Sequence, residues 1–269
     1  MINNKYIIIN KIGSGSFGLI YKGQNVRTKE YVAIKVEPIN DIIKMLKNET
    51  KIYQYLNDCQ FVPQIKWFGK DDNNYYMVIN LLGKSLQNII DIRKKFSLTL
   101  TLKVGIKLLT IMKSIHDKGL VHRDIKPHNF LFSSNSLDKL YIIDFGFCKT
   151  YLVYGEHIKQ NKINGLIGSA NYASINSHKK MELSRRDDLE SIFYMLFYFL
   201  HGSLPWSEIL DESIIAGLKI DIIEHNYNLP TILLDFIKYI REIKFEETPN
   251  YFIFIDKFIK EIELISKIS

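Results

Sequence analysis

Two acids and an amide stand beside short apolar runs. Asp124 and Asn129 lie in His122-Arg123-Asp124-Ile125-Lys126-Pro127-His128-Asn129, and Asp144 lies in Leu140-Tyr141-Ile142-Ile143-Asp144-Phe145-Gly146. One task suits that set: a base for a hydroxyl nucleophile, together with oxygen ligands for a hard cation that carries phosphates. Asp144 and Asn129 are suitable Mg2+ ligands, because that ion prefers oxygen donors and keeps phosphate oxygens in its shell. Asp124 then stays free to accept a proton. Taken singly, each acid could also be a solvated loop residue or a helix cap.

Earlier in the chain, Gly13-Ser14-Gly15-Ser16-Phe17-Gly18 fits GxGxxG. A dinucleotide site needs such glycines to open a helix after a strand. Here they are followed by the strand-like run Leu19-Ile20-Tyr21-Lys22-Gly23, so they cap a hairpin, a flap able to fold over phosphates and offer backbone N–H groups. An ordinary Gly/Ser hairpin loop is the plain alternative. Gly83-Lys84-Ser85 mimics the end of a Walker A loop, but the glycine needed five residues before Gly83 is Val78, which discards it.

Val32-Ala33-Ile34-Lys35 ends an apolar strand in a lysine. On the helix expected over 41–57, Glu49 shares a face with Leu46, Tyr53 and Leu56, while Ile42 begins the apolar stripe. A carboxylate turned inward there is costly unless paired, and Lys35 is the obvious partner. The alternative places Glu49 at the margin of the stripe, in water.

The elements that must position these groups follow from the pattern. Residues 6 to about 80 read as β-rich, with short strands at Tyr6–Lys11, Leu19–Gln24, Glu30–Val36, Ile65–Gly69 and Tyr75–Asn80, interrupted by that one helix. After Gly83 the character turns helical, with Thr99–His116 closed by Gly119, then Arg186–His201, Leu229–Ile243 and Tyr251–Ile265. The expectation is a small β lobe joined through Leu81–Lys84 to a larger helical one. Trp67, Trp206 and the aromatic Phe193–Phe199 segment read as core rather than as a lipid- or base-stacking surface.

Composition narrows the class. The 269 residues are 46% hydrophobic, enough for one large core or two small ones, and 36 Lys+Arg against 29 Asp+Glu give a net charge of +7. The charges are spread through apolar segments, which excludes a disordered polyelectrolyte. Nucleic acid is not implied. Cys59 and Cys148 are the two cysteines, without zinc spacing, and His122 with His128 makes a weak metal case, so neither a disulfide scaffold nor a zinc site is expected. The amino terminus lacks the long apolar stretch and cleavage site of a secretory signal. The longest apolar run, Ile192–Leu200, is far short of the ~20 residues of a spanning helix. An intracellular chain, cytoplasmic or nuclear, with no membrane or nucleic-acid partner, is the expectation.

With the glycine loop, strand lysine, HRDxKxxN loop and Asp-Phe-Gly in this order, the chain resembles the eukaryotic protein kinases, and in detail the casein kinase I family. The narrower likeness rests on Lys11-Ile12 before the glycine loop, Leu81-Leu82-Gly83-Lys84-Ser85-Leu86, and Tyr172-Ala173-Ser174-Ile175-Asn176 where most kinases carry Ala-Pro-Glu. Ser184-Arg185-Arg186-Asp187-Asp188-Leu189-Glu190-Ser191 and Gly202-Ser203-Leu204-Pro205-Trp206 extend it, from about Tyr6 to about Phe258, and the expectation from that extent is a chain without a regulatory C-terminal tail.

The resemblance implies an α+β bilobal protein kinase fold: one catalytic domain over 1–269, an N-lobe of about 1–80, a hinge of about 80–84 and a C-lobe of about 85–269. It implies ATP and Mg2+ as cofactors and protein substrates; oligomeric state is left open, with a monomer as the default expectation. It assigns Lys35 to the α/β-phosphates with Glu49 as its partner, Asp124 to the substrate hydroxyl, Lys126 to the transferring phosphoryl group, and Asn129 and Asp144 to Mg2+. Gly13, Ser14, Gly15, Ser16, Phe17 and Gly18 cover the nucleotide, and adenine lies among Ile12, Ile20, Ala33 and Leu131. The Asn80 carbonyl and Leu82 N–H are the hinge partners, and Ile79 is the gatekeeper. Asp188 binds the catalytic-loop backbone, and Ser169 reaches Asp124.

The pattern departs at Asn171, where the casein kinase I family has an arginine that helps hold a phosphate on a primed substrate; a neutral amide lacks the forked guanidinium geometry. The segment from Leu210 to Asn228 is short and weakly basic, with Lys219 its one lysine, and His128 replaces the usual aspartate. Arg123, Lys149, Lys159 and Lys162 could still favour acidic substrates, and Arg123 could bind an anion. Activity without activation-loop phosphorylation is carried over from the family. Two rivals remain: an inactive nucleotide-binding scaffold, and the tau-tubulin or vaccinia-related branches of the superfamily.

Overall fold

The computed structural model describes residues 1–15, 18–39, 45–225 and 227–268. In chain order the strands and helices begin with β1 (Tyr6–Gly15), β2 (Gly18–Asn25), β3 (Tyr31–Pro38), α1 (Met45–Tyr55), β4 (Ile65–Lys70) and β5 (Asn74–Asn80). Next come α2 (Leu86–Arg93), α3 (Leu98–His116), β6 (Leu120–Val121), β7 (Phe130–Ser133), β8 (Ser136–Ile142), β9 (Lys149–Thr150), β10 (Leu152–Val153) and β11 (Glu156–His157). The chain closes with α4 (Ile175–His178), α5 (Arg185–His201), α6 (Glu212–Ile220), α7 (Thr231–Glu242) and α8 (Tyr251–Ile268).

Two compact units form, one of Met1–Ser85 with Phe130–Gly146, the other of Leu86–Asn129 with Phe147–Ser269. The sequence reading put Phe130–Gly146 after the connector, in the helical lobe. Backbone pairing explains the different division: Gly83 N–H donates to Phe132 O at 2.8 Å, Phe132 N–H to Lys84 O at 2.9 Å, and Ile142 N–H to Phe61 O at 2.9 Å. The discarded Gly83-Lys84-Ser85 thus runs alongside β7, with Ser85 bridged to Leu131.

In the first unit the antiparallel sheet has the order β1-β2-β3-β5-β4. Strand period two sorts its residues. Val32, Ile34, Tyr76 and Val78 point to one face, where they join Ile2 and Tyr6 in a buried cluster covered by Tyr21, Val36 and Trp67. Register sends Ile20, Ala33, Lys35, Met77 and Ile79 to the other face. Helix α1 buries Leu46, Glu49 and Tyr53, as its three- and four-residue spacing requires; Ile42 lies outside the described residues.

In the second unit α3 packs on α5 and α8, and α5 on α7. Ser97 starts α3 by accepting the Leu100 N–H at 3.2 Å. Buried helix α5 is apolar from Ile192 to Phe197 on every side, and ends at Gly202 with φ +84°. Trp206 is fully buried beside Tyr194 and Phe197, the core role expected of the aromatic segment. No described helix is long and apolar enough to cross a membrane.

Candidate active site

The first unit holds the lysine and one acid. From β3, Lys35 Nζ reaches Glu49 Oε2 of α1 at 2.7 Å and Asp144 Oδ1 at 2.9 Å. Burial alone pulls the Lys35 ammonium down, but the Glu49 and Asp144 carboxylates together hold its pKa above the ordinary lysine value. Burial raises Glu49 to about 7, and Lys35 pulls against that rise. Asp144 takes the left-handed backbone, φ +66°, and its N–H donates to Tyr53 Oη at 3.1 Å. Phe145 seats edge-on against the same ring, with centroids 5.0 Å apart. Tyr53 therefore ties the helix that carries Glu49 to the segment that carries Asp144.

The glycine hairpin is present as β1 and β2, with Gly13 paired to Ile20 and Gly15 to Gly18; Ser16 and Phe17 lie outside the described residues. A Cβ on Gly18 would sit 2.2 Å from Val36 O, so only glycine lets β2 approach β3 there. Ile20, Ala33 and Ile79 share the Lys35 face of the sheet. Ile79 is buried, Asn80 and Leu82 are half-buried, Leu131 lies on β7, and Ile12 is exposed on β1. The structure thus gathers the residues assigned to adenine and the hinge into one unit.

The second unit holds the other acid. Asp124 is 2% exposed, and four donors meet its carboxylate: Lys126 Nζ at 2.7 Å, Ser169 N–H and Oγ at 3.0 Å each, and Asn129 Nδ2 at 3.5 Å. Lys126 Nζ also donates to Ser169 Oγ at 3.1 Å. Asn129 Nδ2 binds Asp124 O at 2.8 Å, so Oδ1 is the atom of Asn129 that could ligate a cation. Gly168 has φ +87°, and a Cβ there would lie 2.6 Å from Arg123 O. Glycine is what lets Ser169 come this close to the loop that carries Asp124.

Asp188, near the start of α5, anchors that loop from the other side. Its Oδ2 accepts His122 N–H at 2.7 Å and His116 Nε2 at 2.9 Å, and its Oδ1 accepts Arg123 N–H at 2.8 Å. Burial pushes Asp188 up, yet His116 and His122 hold it below the usual carboxylate value. Arg123 itself sits at φ +68°, a backbone strain supported by these bonds.

The family model of the protein kinase domain matches residues 6–251. The chain belongs to the protein kinase domain family. A probable serine/threonine-protein kinase of Dictyostelium discoideum is 36% identical over 263 residues, 93% of this chain and 52% of that protein. The chain spans about half the length of that relative. The expected α+β fold, with a β-rich lobe and a helical lobe, is that of the family.

Two features of the kinase domain went unread in the sequence. The Ser174-Ile175-Asn176 segment docks on α5 through Asp187, whose Oδ1 accepts Ser174 Oγ at 2.7 Å and Asn176 Nδ2 at 2.9 Å; burial raises Asp187 to about 6 despite these donors. And Arg123 and Lys149 are paired at home. Glu182 accepts Arg123 Nη1 at 3.2 Å and Lys149 Nζ at 2.6 Å, while Arg123 Nε donates to Phe147 O at 2.7 Å. The anion expected beside Arg123 is thus a carboxylate of the same chain. Of the four cations expected to face acidic substrates, Lys159 and Lys162 are the exposed pair.

A Glu182→Gln variant is expected to lose about 1.5–3 kcal/mol, the contribution of a hydrogen bond to a charged group. Burial opposes ionisation of Glu182, but Lys149 and Arg123 still bring its pKa below the ordinary value of 4.5. A depressed carboxylate stabilises above its unfolded pKa and loses that contribution as pH falls through the folded one. Denaturant unfolding should therefore show the full gap to wild type at pH 7, closing below pH 4.5. An equal gap at both ends would disprove the pairing.

Proposed function

We propose that this kinase domain is an active Ser/Thr protein kinase of the casein kinase I type, moving the γ-phosphate of ATP to Ser/Thr hydroxyls of acidic, unprimed protein substrates. The observation that carries the reading is Asp124: a buried carboxylate aimed by Ser169 and Lys126, on the residue the family uses to orient a hydroxyl. Lys35, Glu49, Asn129 and Asp144 accompany it in the chain, which argues against a scaffold that does no chemistry. The name of the Dictyostelium relative supports Ser/Thr acceptors.

The resemblance assigns both sets of residues to one triphosphate. Lys35, kept charged by two carboxylates, would hold the α/β-phosphates, and the glycine hairpin would add backbone N–H groups. Asp124 would receive the hydroxyl proton, and Lys126 would offset charge on the moving phosphoryl group. The candidate magnesium donors, Asn129 Oδ1 and the Asp144 carboxylate, are oxygens, the donor chemistry a hard cation takes. Magnesium, when bound, neutralises phosphate charge. Little covalent work is left to the protein, so positioning and electrostatics supply the rate.

Substrate class follows from charge. Asn171 has no guanidinium fork for a phosphate, whereas the net charge of +7 and exposed Lys159 and Lys162 suit acidic side chains. Single-turnover transfer from labelled ATP to a peptide array is expected to show phosphorylated Ser/Thr, with acidic residues favoured upstream over phosphorylated ones. Nucleotide binding without transfer would establish the scaffold, and a strong preference for a phosphorylated upstream residue would overturn the unprimed reading.

A further inference from the structure

Lys219, near the end of α6, is completely buried, an unusual place for an ammonium group. Its Nζ donates to Ala170 O and to Ala173 O, each at 2.7 Å, and lies 3.2 Å from His178 Nε2. Two aromatic faces enclose it, with Nζ 4.6 Å from the Tyr194 ring centroid and 5.2 Å from that of Trp206. Trp206 Nε1 binds the carbonyl between those two, Asn171 O, at 2.9 Å. Arg241 Nη2 in turn holds Lys219 O. Three carbonyls of one short loop are thus gripped by one caged ammonium and one indole.

That loop begins at Ser169, whose O accepts the N–H groups of Tyr172 and Ala173 at 2.8 Å each, and whose own N–H and Oγ hold Asp124. Desolvating a lysine is costly, and burial draws the Lys219 pKa down to about 7, against the opposing charge of Glu190. A methionine would fill the same space between the rings without that cost. What the ammonium adds is directional: three donors that fix where two carbonyls stand.

We propose that Lys219 is a positioning residue of the kinase reaction, clamping the Ser169–Ala173 loop so that Ser169 holds Asp124 in line for phosphoryl transfer. The inference rests on the kinase reading above and deepens it. It acts through Ser169 and touches neither nucleotide nor hydroxyl. The loop geometry at Asp124 then depends on α6, an element outside the kinase motifs.

The test is steady-state peptide phosphorylation by Lys219→Met, which keeps stem length and apolar packing, and by Trp206→Phe, which releases Asn171 O and trims one of the two aromatic faces around Lys219. Lys219→Met should lower kcat by roughly 10–100-fold, the scale of a misplacement of about 1 Å at a reacting centre. Its KM for ATP should stay within about twofold, because only the Asp124 end is disturbed. Trp206→Phe should lower kcat in the same direction by less. Unchanged kcat in folded Lys219→Met, or a KM for ATP rising in step with the loss, would overturn the clamp. Should Lys219→Met not fold, Trp206→Phe decides alone by the same readouts. Hydrogen exchange at the Ser169–Ala173 amides, compared between wild type and Trp206→Phe, reads the clamp without activity. Faster exchange supports it and equal exchange refutes it. A wild-type protein inactive on every peptide would overturn the kinase reading while leaving this second readout intact.

Discussion

An Asp124→Asn protein should bind ATP as wild type does and transfer phosphate ~10²–10⁴-fold more slowly, the range spanned by positioned general bases. Size is conserved in this exchange; charge is not, and asparagine cannot receive the hydroxyl proton. Geometry sharpens the expectation. Lys126 Nζ, Ser169 N–H and Ser169 Oγ all lie within 3.0 Å of the two carboxylate oxygens, and a carboxamide offers one oxygen only. Its NH2 must face a donor on one side, so the Lys126–Ser169 arrangement loosens along with the chemistry. Lys35, Glu49 and Asp144 belong to the other compact unit and are untouched, so KM for ATP should change little. Rapid-quench measurement of a single turnover separates the step from product release. Turnover equal to wild type, or a loss residing wholly in nucleotide affinity, would remove Asp124 from the role of base.

The parts of this molecule that were legible in the sequence are those where chemistry or period restricts residue type locally. The five-stranded sheet was readable because Val32, Ile34, Tyr76 and Val78 alternate with residues of the opposite face, and α1 because Leu46, Glu49 and Tyr53 fall on one stripe. The inward carboxylate also named its partner, since a buried Glu49 demands a cation. Helix α2 was missed although Leu86 and Ile90 share a buried face, and α6 although Asp211 caps it by accepting Ser213 and Ile214 N–H groups. Those signals were present. The two-residue strands β6, β9, β10 and β11 carry no period at all, and only tertiary pairing makes them strands.

Partners distant in the chain were the illegible part of the site. Lys219 reads in sequence as the one lysine of a short, weakly basic segment, because the carbonyls that receive it are 49 and 46 positions away. Lys149 looked available to substrates until Glu182, 33 positions on, took it up. A motif states which groups a reaction needs. Which groups hold them still is written in the fold, and here much of that support comes from α5 and α6.

Loss of Lys35 should be felt in stability as well as in catalysis, and pH separates the two. In Lys35→Met the stem is replaced at similar length, but Glu49, 2% exposed, and Asp144 lose their shared counter-charge. Breaking a buried pair from one side typically costs about 3–5 kcal/mol. Wild-type Lys35 is raised above 10.5, so its stabilisation is intact up to that pH and declines only beyond it. Glu49, already lifted to about 7 by burial, rises further once the ammonium is gone. A raised carboxylate stabilises fully below its unfolded value of 4.5 and loses that contribution as pH climbs through the folded one. The Tm gap between wild type and Lys35→Met should therefore be narrow near pH 5 and wide near pH 8. Adding Glu49→Gln to the variant removes the titrating group, so the double variant should exceed the single at pH 8 while remaining inactive. Phosphate transfer by either should fall at least ~10²-fold, the scale of losing one preorganised charge donor. A Tm gap equal at both pH values would show that Glu49 is not held by Lys35, and normal transfer by Lys35→Met would release the lysine from the phosphates.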